Sequence, residues 1–121
     1  MISIDEMQDM LDELAEELPS VFYEELNGGI LLLPQMKLSE YARSHDLYIL
    51  GEYVRDRVMG RYIVIYYGSF ERVYGHLRED AFKDELRKTL RHEFRHHLEY
   101  LAGEDDLEKE DDRDLRDYLK D

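Results

Sequence analysis

The sequence predicts an α+β domain in which a small mixed sheet of about three to four strands packs on helices, and three observations lead there. Apolar residues recur at helical spacing near the start (Met7, Met10, Leu11, Leu14, Leu18) and again over Phe82 to Leu101. Between these helices lie three β-rich segments, ILLLP at 30–34, LYILGEYV at 47–54 and RYIVIYYG at 61–68. The chain has 121 residues, 43% of them hydrophobic, which suits one core and one domain spanning 1–121.

Ser3 and Glu6 have capping-box spacing, so the first helix is expected over 4–18, where Pro19 ends it. SVFYEEL reads as a second short helix, stopped by Asn27-Gly28-Gly29. ILLLP, bounded by glycine and proline, reads as a buried strand. The stretch 36–46 is polar and irregular. LYILGEYV and RYIVIYYG then form a hairpin across RDRVMG, their many tyrosines packing on helices with hydroxyls at the wet edge. Ser69 caps a short helix, and Asp80 caps a long one over Ala81–Ala102 that Gly103 ends. The tail is charged, but Leu107, Leu115, Tyr118 and Leu119 leave a thin seam for a last helix.

Composition excludes several classes of function. No apolar run approaches the ~20 residues of a membrane span, and the acidic start is unlike a signal or transit peptide. Cysteine is absent, which removes disulfides and thiolate metal sites and suits a cytoplasmic location. A net charge of −14 disfavours nucleic acid and anionic membranes as partners. The acids gather before residue 27 and after residue 103, as solvated helix faces do.

One stretch carries chemistry. RHEFRHH, residues 91–97, holds three of the five histidines and spells H-E-x-x-H with His92, Glu93 and His96. At 100° per residue, Phe82, Leu86, Leu90, Phe94, Tyr100 and Leu101 share the core arc, while Arg87, Lys88, Arg91 and Arg95 face water. His92 and His96 fall together on the flank, about 40° apart and one turn along, where two imidazoles converge on one ion. Glu93 lies between them and the core, placed to act on a water as general base. The charged Arg95 departs from the uncharged residue usual in zinc peptidases. His97 points into the apolar arc and reads as a buried histidine satisfied by a backbone or tyrosine partner. His45 and His76 read as surface residues.

With the acidic first helix and RYIVIYYGSFERV, the segment TLRHEFRHHLEYLAGEDDLE resembles the small bacterial zincin-like metallopeptidases, the minimal zincins, over nearly the whole chain. That family's pattern, H-E-x-x-H-x-x-G-x-x-D, ends in an aspartate that supplies the third metal ligand. His92, Glu93 and His96 match it, but Glu99 stands where the glycine belongs, and Gly-x-x-Asp appears four residues later at Gly103 to Asp106. The resemblance therefore implies a zinc site of His92, His96 and Asp106, with Glu99, Asp105, Glu108 and Glu110 as rivals for the third place.

A zinc ion so held lowers the pKa of its bound water towards ~7, and Glu93 takes the proton and passes it to the leaving amine. Tyr66, Tyr67, Arg91 and His97 are the nominees for a donor to the oxyanion. The resemblance also implies a sheet edge that aligns an extended peptide or protein substrate, for which RYIVIYYG is the expected edge. The expected function is thus a zinc-dependent peptide hydrolase. A non-catalytic metal-binding or interaction module is the alternative, and a metal-free acidic protein the third. Nothing in the sequence decides the oligomeric state.

Overall fold

In a computed structural model that describes residues 1–40 and 47–103, the chain runs α1 (Ile4–Glu16), a 3-10 turn (Ser20–Tyr23), β1 (Gly29–Leu33), β2 (Gly51–Asp56), β3 (Gly60–Tyr66), α2 (Tyr67–Tyr74) and α3 (Glu79–Ala102). The expected last helix in the tail and His45 lie outside the described residues. Among the described residues the architecture is a small α+β fold with a three-stranded mixed sheet and three helices.

The strand order is β1-β3-β2, with β1 parallel to β3 and β2 antiparallel to it. RYIVIYYG is therefore the central strand, not the expected edge; the edge beside the second half of α3 is β2. Burial explains the inversion. Ile63 to Tyr66 are all buried, as an unbroken apolar run in a central strand should be, whereas β2 carries Glu52, Arg55 and Asp56, charges that suit an edge.

The predicted strand at 47–54 is also too early. Residues 47–49 instead meet the segment 37–39, where Ser39 N–H donates to Leu47 O and Ile49 N–H to Lys37 O, each at 2.8 Å. The β2–β3 loop closes at Gly60, whose φ of +77° is the left-handed conformation such three-residue hairpin loops use. The Asp56 carboxylate accepts from the Val58 and Met59 amides within that loop.

α1 begins as expected. The Ser3 hydroxyl accepts from the Glu6 amide and the Glu6 carboxylate from the Ser3 amide, both at 3.1 Å. SVFYEEL makes only a 3-10 turn, because Glu24 is extended and Glu25 turns left-handed at φ 60°. Ser69 is not a cap: α2 starts two residues earlier, and Ser69 is buried, with its hydroxyl on the Lys37 amide and carbonyl. α3 starts at Glu79 with Arg78 as its cap residue, and Gly103 ends it.

The helices cover one face of the sheet. Ile63 and Ile65 of β3 meet Met7, Leu11 and Leu14 of α1 and Leu86, Leu90, Phe94, Leu98 and Leu101 of α3 in one core, all under 3% exposed. Ion pairs tie α1 to α3 at the surface: Lys83 with Glu13, and Arg87 with Glu17 at 3.0 and 3.1 Å. No helix among the described residues is long and apolar enough to cross a membrane.

Candidate functional site

α3 divides its faces as its periodicity dictates. Phe94, His97, Leu98 and Leu101 are buried, while His92 and His96 are exposed on the flank that turns towards β2. Their rings stand 5.5 Å apart at 84°, and neither makes a hydrogen bond among the described residues. Glu93 is 8% exposed and lies between them and the core. These three side chains line an open cleft of about 650 Å³ whose other wall is β2, with Gly51, Tyr53 and Arg55, and Arg61 from β3. A second hollow of about 530 Å³ shares His92 and Glu93 and continues towards Tyr48, Leu50 and Tyr74. Glu93 is thus the midpoint of a trough between α3 and the sheet edge.

Burial pushes the Glu93 carboxyl above the usual carboxylate range. Positive charge on His92 and His96 would pull it back, and Glu52 pushes it further up. No hydrogen bond holds it among the described residues. Gly51 makes its room: a Cβ there would stand 3.0 Å from the Val64 carbonyl oxygen, 3.1 Å from Ile65 Cδ1 and 3.3 Å from Glu93 Cγ. A carboxylate so buried, open on one side and without a hydrogen bond among the described residues, can exchange a proton.

His97 is fully buried and doubly bonded. One ring nitrogen, Nε2, lies 2.7 Å from the Glu24 carbonyl oxygen, which can only accept, so Nε2 carries the proton. Nδ1 then accepts from the Tyr53 hydroxyl, also at 2.7 Å. Burial and, behind it, the Arg61 charge press its pKa down, against the upward pull of the Glu24 hydrogen bond and of Glu25, and the ring stays neutral. The Tyr53 ring also stacks on His96 (6.4 Å, 17°), and its oxygen accepts a long hydrogen bond of 3.4 Å from Arg61. Tyr53 therefore clamps the sheet edge to both neighbouring histidines of α3, as a support behind an exposed imidazole should.

Several expectations fare differently. Tyr66 donates to Glu52 at 3.1 Å and Tyr67 to the Ile2 carbonyl at 2.6 Å, so neither hydroxyl faces the cleft as an oxyanion donor. His97 is spent on the core, and Arg91 is not among the residues that line the cleft. Sequence reasoning missed Tyr53, Arg55 and Arg61. Alternation along a strand puts Gly51, Tyr53 and Arg55 on one face, and that pattern was available in GEYVRD. His76 is exposed, as expected.

The zinc set is only partly in view. Asp106 lies outside the described residues, as do Asp105, Glu108 and Glu110; Glu99 is described and exposed on α3. Among the described residues no group of three or more His, Cys, Asp or Glu side chains is disposed to hold a metal ion. The donors in view are the two imidazoles, which suit zinc in kind and lie one helical turn apart with ring centroids 5.5 Å from each other, but do not complete a site.

No protein-family model matches the chain. No curated protein matches it either. Among solved structures it is similar to a conserved hypothetical protein from T. thermophilus, at 32% identity over 84% of this chain and 98% of that one, with a TM-score of 0.69. These findings correct the resemblance to the small bacterial zincin-like metallopeptidases: no zincin family is matched, and the residues described do not assemble the three-ligand metal group which that resemblance implies. At 32% identity along nearly the whole of the bacterial chain, and with the same fold, this protein belongs to the family of that conserved hypothetical protein from T. thermophilus.

Proposed function

We propose that the protein is a metal-dependent peptide hydrolase, with zinc its simplest ion and Glu93 its general base. The observation that carries this is the buried Glu93 carboxyl at the midpoint of a trough, flanked by two exposed imidazoles, none of the three making a hydrogen bond among the described residues. His92 and His96 would hold the ion, with Asp106 the proposed third ligand. Bound there, zinc supplies a Lewis acid and a water of lowered pKa.

The chain's own groups do the rest. Glu93 accepts the proton of the attacking water and returns it to the leaving amine, and its raised pKa brings the proton's two destinations closer in energy. Tyr53 holds the His96 ring in plane by stacking on it, while His97 holds Tyr53. Strand β2 has no neighbour on its outer side among the described residues. Leu50 O accepts from Tyr66 N–H, so by alternation the backbone groups of Gly51, Tyr53 and Arg55 point outwards, where an extended peptide can add as a further strand.

The test is elemental analysis of tag-free protein alongside assays on a peptide pool. Wild type and Glu93→Gln should each carry near-stoichiometric zinc, His96→Ala should carry none, and only the wild type should cleave. The lack of a third donor among the described residues supports a second reading, a metal-binding module without turnover. Zinc uptake with no cleavage by wild type would select it, and no zinc in any variant would sink both.

A further inference from the structure

The cleft's two ends differ in charge. Beyond His92, its walls are Tyr48, Leu50 and Tyr74, and the one lysine there, Lys88, pairs with Glu85 at 3.2 Å. Beyond His96, the walls carry two arginines. Arg55 of β2 and Arg61 of β3 are directly opposite each other in the strand register, on the same face of the sheet. Like charges so placed repel and weaken a sheet. They sit side by side in a protein of net charge −14, with acids in abundance to choose from.

Neither arginine has an ion pair among the described residues. Arg61 is fixed, its guanidinium 3.3 Å over the Tyr100 ring and one N–H on the Tyr53 hydroxyl. Arg55 is exposed and makes no hydrogen bond among the described residues. The acid on that wall, Glu52, is already bonded to Lys37 and Tyr66. One positioned guanidinium and one free to swing make a fork for a carboxylate.

We propose that Arg55 and Arg61 form a carboxylate-binding subsite at the His96 end of the cleft, so that the protein selects peptides with an acidic side chain or a free C-terminal carboxylate there. The inference rests on the hydrolase reading above for its substrate class, but binding tests it apart from turnover. The bulk charge of the protein repels anions, so selection at this end is local and favours acids only where both arginines are reached.

The probe is a set of three fluorescein-labelled hexapeptide mixtures, randomised except at one inner position: Glu with an amidated C-terminus, Gln amidated, and Gln with a free C-terminus. Binding is read by anisotropy on zinc-supplemented Glu93→Gln, and cleavage of the same mixtures on wild type. The Glu-amide or the Gln-acid mixture should bind about tenfold or more tightly than the Gln-amide, as for a charge-assisted pair, and whichever wins names the source of the carboxylate. Arg55→Gln should shrink the gap to about threefold or less, and Arg55→Glu should reverse it; Arg55 is exposed, so neither threatens the fold. Arg61→Gln should also erase the gap, and Arg61→Lys, which keeps the charge, should retain most of it. Equal binding of all three mixtures, or a gap untouched by Arg55→Glu, overturns the subsite. Cleavage of all three at equal rates overturns it while sparing the hydrolase reading. A tenfold preference in binding with no cleavage by wild type supports the subsite and refutes that reading instead.

Discussion

Tyr53→Phe deletes one oxygen and leaves a ring of the same shape between β2 and α3. The loss falls on His97, which is fully buried and whose Nδ1 has the Tyr53 hydroxyl as its hydrogen-bond donor at 2.7 Å. Orphaning a buried acceptor costs about 1–3 kcal/mol, and the phenyl ring recovers little of it, since the tyrosine ring is already packed. For a domain of this size each kcal/mol lowers the melting temperature by about 4 °C, so the variant should melt roughly 4–12 °C below wild type. The assay is thermal unfolding by circular dichroism in metal-free buffer. Tyr62→Phe serves as a control, because its hydroxyl makes no hydrogen bond among the described residues, and it should stay within about 0.5 kcal/mol. Adding His97→Phe to Tyr53→Phe should cost less than the sum of the single changes, as coupled partners do. A melting point for Tyr53→Phe within about 2 °C of wild type would show that the hydroxyl does not hold the histidine, and the clamp would have to be abandoned.

Three further outcomes follow from the same geometry. Burial raises the Glu93 pKa, so its favourable contribution is complete below about pH 4.5 and is lost as pH rises through the folded value; metal-free Glu93→Gln should gain on wild type in melting point from pH 4.5 to 7.5, and a constant difference would refute the buried, ionising carboxyl. His97 is shifted the other way, so its contribution is complete above about pH 6.5 and fades as pH falls towards the folded value; the stability gap between wild type and His97→Phe should narrow on acidification, and a gap that widens would reverse the assignment. Gly51→Ala places a methyl 3.0 Å from a backbone oxygen and 3.3 Å from Glu93 Cγ, so it should cost about 1–3 kcal/mol in denaturant titrations and lower kcat/KM on cleaved peptides by displacing the base; full activity would mean that Glu93 is not confined there.

How much of this was legible in the sequence depends on how many elements a feature needs. His92, Glu93 and His96 ride one helix, so a 100° rotation per residue sufficed to place two on the flank and one against the core. The capping box of α1 and the burial of His97 were local in the same sense. The sheet edge was not, because β1-β3-β2 order arises when β1 crosses over to pair with β3, a long-range choice that no hairpin pattern encodes. The signs were nonetheless present: RYIVIYYG carries no charge after Arg61, and GEYVRD carries three, at Glu52, Arg55 and Asp56. Arg55 and Arg61 are adjacent only through strand register, and Tyr53 meets His97 across 44 residues of chain. The family resemblance went wrong for a related reason: it leaned on a five-residue motif, while the third donor it required had to come from another part of the chain.

α3 does two jobs along one length. The turn bearing His92, Glu93 and His96 also bears Leu90, Phe94 and Leu98, each no more than 2% exposed in the core. No local opening can release the former without expelling the latter, so the backbone amides of this turn should exchange with deuterium only as fast as the whole molecule unfolds. Strand β2, paired on one side alone among the described residues, should exchange orders of magnitude sooner. Any yielding to an incoming chain therefore falls to the strand, against a helix that cannot breathe.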